Sequence, residues 1–164
     1  MTDVERLPWA EQLALDEESF RQQLAYLLER SPFYREKLAG LDGSFGLDEI
    51  ARLPLTEKPE VRATCTPASP FGAHLCVEPA ELIRIYSTSG TTGTPSYIPL
   101  TAGDLDNWVA ASARSYAASG VTPGERIVTT YNAGPFAAGA ALAAFDRIGL
   151  CHIPVGTGNA DGLL

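Results

Sequence analysis

Residues 17–30 read EESFRQQLAYLLER, with Phe20, Leu24, Leu27 and Leu28 recurring at steps of three or four. That period lines apolar side chains along one face of a helix. Ser31 followed by Pro32 has the form of an N-cap with proline at the first helical position, which predicts a second short helix through Lys37. Gly40, Gly43 and Gly46 then punctuate a loop. In LDEIARLPLTEKPEVR the pattern predicts one helical turn, a proline-bounded corner and another short helix, with Thr56 as its cap. TCTPASPFGAHLCVEP carries three prolines and reads as an irregular connection.

From about residue 81 the pattern changes. LIRIY and SYIPL are short β-type runs with a Gly/Ser/Thr stretch between them, which predicts two strands joined by a loop. Thr101 and Asp104 form a capping box at the start of TAGDLDNWVAASARSYAASG. Leu105, Trp108, Val109, Ser112 and Tyr116 share one face of that helix, and Gly120 stops it. RIVTTY reads as a strand, GPFAAGAALAAFDRIG as a helix of small residues, and CHIPV as a further strand. Strand, helix, strand, helix, strand at this spacing predicts βαβ crossovers and a parallel sheet. The fold class is α/β, divided into a helical segment over 1–80 and an α/β portion over 81–164.

Composition narrows the function classes. Twelve basic against 20 acidic residues give a formal charge of −8. Nucleic acid and anionic membrane both demand a basic surface, so neither is expected as a partner. No apolar run approaches the ~20 residues of a membrane span, and the acidic start MTDVERLPWAEQ lacks the features of a secretory signal. Cys65, Cys76 and Cys151 are odd in number and widely spaced, as expected of reduced thiols in a cytoplasmic protein. His74 and His152 stand far apart and read as structural or surface residues; no metal site is expected.

The chemistry concentrates in IYSTSGTTGTPSYIPLT, residues 85–101. Ser87, Thr88, Ser89, Thr91 and Thr92 supply hydroxyls, while Gly90 and Gly93 permit turns that aim backbone N–H groups at one point. Such a concavity suits an anion, above all a phosphate chain. The stretch lacks the Gly-Lys-Ser/Thr of a Walker loop and the G-x-G-x-x-G of a dinucleotide fingerprint, and it precedes a strand. On composition alone, a flexible hairpin loop explains it equally well.

YSTSGTTGTPSYIPLT resembles the phosphate-binding signature of adenylate-forming enzymes, the acyl-CoA synthetase superfamily. More narrowly, the chain resembles the N-terminal part of a phenylacetate–coenzyme A ligase-type enzyme. SPFYREKL, ARLPLTEKPEVR and VTPGERIVTTYNAGPFAAGAALAAFDRIGLCHIPVGTGN are similar to further segments of that family, in register from about residue 20 to the end. The resemblance implies ATP, Mg²⁺ and coenzyme A as cofactors and a small-molecule carboxylic acid as substrate. An acyl-adenylate would form first and a thioester second. It assigns the phosphate cradle to Thr88, Ser89, Gly90, Thr91, Thr92 and Gly93. It places Tyr131, Asn132, Gly134, Pro135 and Phe136 beside the acyl pocket, although packing between sheet and helix accounts equally for Tyr131 and Phe136.

Two departures stand out. Thr94 occupies a position where the family commonly has lysine, and the two lysines of the chain, Lys37 and Lys58, both precede the loop. The family's adenine-binding residues, metal-binding glutamate and catalytic lysine lie further along than this sequence extends, so no catalytic residue is assigned. The expected fold is an incomplete adenylate-forming N-terminal domain, a β-hairpin phosphate loop followed by βαβ units. It would require a missing C-terminal portion or a second chain; the resemblance also suggests a homodimer. A non-catalytic nucleotide-binding module and a coenzyme A-independent adenylating enzyme are the alternatives.

Overall fold

The computed structural model describes residues 6–41, 45–88, 95–130 and 138–156. The chain divides into two compact units, Met1–Glu78 and Pro79–Leu164.

In the first unit the apolar stripe lies on α1 (Trp9–Arg30), which starts about three turns before Phe20, the first residue of the stripe. Pro8 precedes it with φ −53° and contributes no side-chain cap. Leu24, 5% exposed, forms the core with Leu38 and Phe45; Phe20, Leu28, Tyr34, Leu41 and Leu53 pack around them. α2 (Pro32–Lys37) begins as its sequence predicts, with the Ser31 hydroxyl accepting the Tyr34 N–H at 3.3 Å. That hydroxyl is fully buried and also donates to the Ala73 carbonyl at 3.3 Å, so one side chain caps a helix and anchors a distant loop. A 3-10 helix spans Leu47–Arg52, and its first N–H donates to Glu17 of α1 at 2.8 Å.

The cap of α3 (Lys58–Ala63) differs from expectation. Glu57 is the N-cap, not Thr56, and it makes no side-chain cap bond. Instead Glu60 reaches back to accept the Glu57 N–H at 2.6 Å and pairs with Lys37 of α2. A carboxylate three residues into the helix replaces the hydroxyl as partner of the first free N–H.

In the second unit β1 (Arg84–Ser87) and β2 (Tyr97–Leu100) pair antiparallel, with Tyr86 opposite Ile98 and Ser87 opposite Tyr97. α4 (Ala102–Ala118) opens on the Thr101–Asp104 box: Thr101 Oγ1 accepts the Asp104 N–H at 3.3 Å, and Asp104 accepts the Thr101 N–H at 2.9 Å. Gly120, at φ +93°, takes the left-handed conformation that ends the helix. Leu105 and Trp108 of α4 cover the hairpin residues Tyr86 and Leu100. β3 (Arg126–Thr129) and β4 (Cys151–Pro154) pair in parallel across the crossover helix α5 (Ala138–Ile148). Phe145 of α5, 2% exposed, packs between Tyr116 of α4 and His152 of β4, at ring separations of 5.1 and 5.3 Å.

The strands form two separate pairs, β1–β2 and β3–β4, among the described residues. The crossover from β2 through α4 to β3 therefore does not seat β3 beside β2. Hairpin register is local, whereas the neighbour of a crossover strand is set by packing at long range. No disulfide joins Cys65, Cys76 and Cys151. No described helix is long and apolar enough to cross a membrane.

Candidate functional site

The Ser/Thr loop leaves the hairpin through a closed neck. Beyond the last ladder pair, the Thr88 N–H donates to the Ser96 carbonyl at 2.9 Å, and the Ser96 N–H donates to Thr88 Oγ1 at 3.0 Å. Thr88 thus spends one acceptor site of its hydroxyl on the neck and keeps its O–H for another partner. Ser96 Oγ is buried and finds no hydrogen-bond partner among the described residues. A buried hydroxyl left unpaired costs free energy unless something meets it. This residue stands in the quoted motif, yet nothing in the local pattern marks its side chain as turned inward. Its orphaned oxygen is visible only once the strands are paired. Ser89, Gly90, Thr91, Thr92 and Gly93, with Thr94, lie outside the described residues.

The second candidate segment, Tyr131, Asn132, Gly134, Pro135 and Phe136, also lies outside the described residues. Its two ends are described. β3 ends at Thr129 and α5 begins at Ala138, so the segment leaves the carboxyl end of a parallel strand. Parallel α/β units bind ligands beyond the carboxyl ends of their strands, where loops and helix N-termini converge. Thr129 Oγ1 and His152 Nε2 share a hydrogen bond of 2.8 Å, and the Val155 N–H donates to the Thr129 carbonyl at 3.0 Å. These contacts hold that end of the strand pair closed.

Charge near the hairpin is already engaged. The Arg84 guanidinium lies 5.9 Å over the Tyr86 ring and donates to its hydroxyl at 3.3 Å. Among the described residues no three His, Cys, Asp or Glu side chains gather as a metal site. With both N–H groups of the neck already donated across it, what Thr88 and Ser96 leave for an anion is their hydroxyls.

No protein-family model matches the chain. Phenylacetate–coenzyme A ligase of Thermus thermophilus is 37% identical over 164 aligned positions, which cover 97% of this chain and 36% of that protein. The Escherichia coli phenylacetate–coenzyme A ligase is 32% identical over 90% of this chain and 34% of its own length. The chain belongs to the phenylacetate–coenzyme A ligase family. It spans about a third of the length of the curated relatives it matches. Among solved structures, 2-hydroxyisobutyryl-CoA ligase in an open conformation, with 2-HIB-AMP and CoA, superposes with a TM-score of 0.84 at 28% identity. That match covers 96% of this chain and 37% of the other. The same enzyme in its thioesterification state gives 0.81 at 30% identity. The fold is accordingly the mixed α/β fold of adenylate-forming ligases, represented by a partial domain.

Proposed function

We propose that this chain is the N-terminal, phosphate-gripping portion of an ATP-dependent carboxylic acid–coenzyme A ligase. The observation that carries the reading is the hairpin neck: Thr88 and Ser96 close it, and the buried Ser96 hydroxyl there has no hydrogen-bond partner among the described residues. A loop of Ser89, Gly90, Thr91, Thr92 and Gly93 springing from that neck has the donors to hold the β- and γ-phosphates of ATP. In this reading, adenylation joins the acid to the α-phosphate and expels pyrophosphate. Coenzyme A then takes the acyl group and releases AMP. The acid is an aryl or similarly small carboxylic acid that would lie against Tyr131, Asn132, Gly134, Pro135 and Phe136. Donors placed in advance where charge builds up are the protein's main contribution to such a step. Mg²⁺, when bound, would neutralise phosphate charge; among the described residues no three His, Cys, Asp or Glu side chains gather to hold it. The grip is the role of this chain, and the remaining ligase functions fall to sequence beyond it, in the same or a second polypeptide.

Titration of the chain with Mg·ATP, read from its amide NMR spectrum, tests the grip. Saturable shifts over 88–96 are expected, with pyrophosphate competing and adenosine not. Ser89→Ala with Thr92→Ala should weaken binding by about tenfold or more, and Ser96→Ala by about fivefold, as expected for lost hydrogen bonds to a charged group. Ser89→Ala and Thr92→Ala should leave the unfolding midpoint of the ligand-free chain nearly unchanged, and Ser96→Ala should leave it unchanged or raise it. An ATP affinity unchanged in these variants would remove the cradle assignment.

A further inference from the structure

Tyr86 lies on β1 two residues before Thr88, and Gly139 is the second residue of α5, just beyond the 131–137 segment. Distant in sequence, they meet in the fold. A methyl group on Gly139 would stand 2.9 Å from Tyr86 Oη, 3.1 Å from Cε1 and 3.3 Å from Cζ, inside ordinary van der Waals separation. The tyrosine ring therefore rests on the bare backbone of the first turn of α5, where an added methyl would force the ring to give way. The ring has little room to yield. It is 3% exposed, with Trp108 edge-on at 5.8 Å and the Arg84 guanidinium at 5.9 Å. Fully buried Ala140 completes the contact from the α5 side.

This contact joins the two elements that carry the two candidate loops, at the ends nearest those loops. We propose that Tyr86 is a positioning residue that couples the phosphate loop to the acid-facing segment through Gly139. The proposal rests on the assignment of the hairpin loop to phosphate made above. Close-packed groups transmit displacement because no void absorbs it. A shift of β1 when phosphate fills the loop must then be felt at the start of α5. Thermodynamic coupling is reciprocal, so a ligand at the acid-facing segment would in turn alter the grip on phosphate.

The experiment is a Mg·ATP titration of the whole chain, following amides of 88–93 and of 138–140 together. In the unaltered chain both sets should move with one apparent Kd. Tyr86→Phe keeps the ring on Gly139 and should keep both responses. Tyr86→Leu should retain the 88–93 response and lose that of 138–140. Gly139→Ala, which forces the ring aside, should weaken Mg·ATP binding by about tenfold, the size of effect typical between residues in contact. If 88–93 respond and 138–140 do not in the unaltered chain, the coupling is refuted while the phosphate assignment survives. A 138–140 response that persists in Tyr86→Leu refutes it as well. If 88–93 fail to respond at all, the phosphate assignment fails and the coupling with it. The comparison in the unaltered chain needs no variant, so it decides the matter even where Tyr86→Leu does not fold.

Discussion

At the scale of single residues, His74 shows how burial becomes a pH dependence. Its Nδ1 is buried without a partner among the described residues, and desolvation holds its pKa below the ordinary 6.5. Gly72 beside it, at φ +76°, leaves room for that ring; a methyl there would stand 2.9 Å from His74 Nδ1 and 2.4 Å from Thr64 Oγ1. As pH falls, the unfolded chain takes up the proton before the folded chain does, so stability declines below about pH 6.5 and is unaffected above it. Glu17 and Glu60 act in a lower window. The Leu47 N–H and then Arg21 depress the pKa of Glu17, and Lys37 and then the Glu57 N–H depress that of Glu60. Their stabilisation is present above the ordinary carboxylate value of 4.5 and is lost as pH falls below it. Urea unfolding of the first unit between about pH 7 and pH 5 should thus show a decline that His74→Phe flattens. A slope unchanged by that substitution would assign the effect to another group.

At the scale of elements, the starts of α2 and α4 were legible because a hydroxyl, of Ser31 and of Thr101, caps each at the position its spacing dictates. Thr56 did not, because a carboxylate further along, already paired with Lys37 of another helix, satisfied the same end better. The Thr101 box should be worth about 1 kcal/mol to α4, so Thr101→Ala should lower the unfolding free energy by about that much. A loss under about 0.3 kcal/mol would mean that water replaces the hydroxyl without cost. The parallel pair presents another element-scale fact. α5 covers one face, while Val128 and Ile153, opposite each other in register, remain exposed on the other. Parallel strands are ordinarily covered on both faces.

At the scale of the whole molecule, charge sets the terms for any anionic ligand. The chain carries −8 overall, and beyond Arg84 its basic residues are Arg114, Arg126 and Arg147. A phosphate grip made of N–H and hydroxyl donors, without lysine, depends on short-range geometry and little on long-range attraction. Mg·ATP affinity should therefore change less than about threefold between about 50 and 300 mM salt, by isothermal titration calorimetry. A steep fall with salt would show that a cationic side chain dominates the binding. The same charge predicts no retention of duplex DNA or anionic vesicles at physiological salt.

The sequence by itself determined what depends on neighbours a few residues away. The stripe of α1, the caps of α2 and α4, the Gly120 stop, the two β-type runs flanking the Ser/Thr loop, and the family resemblance all arise from local order along the chain. Tertiary structure decided what depends on residues brought together from far apart. It paired β3 with β4 but kept β1–β2 as a separate sheet among the described residues, and it turned the Ser96 hydroxyl inward at the neck. It also laid Tyr86 against Gly139. The physical reason is the same throughout. A cap or a periodic stripe is selected by energies acting within one or two turns, which composition and spacing record. A strand neighbour, an orphaned hydroxyl or a ring against a glycine exists only after the chain has closed a long loop and packed to near-solid density, and no short window of sequence carries that information.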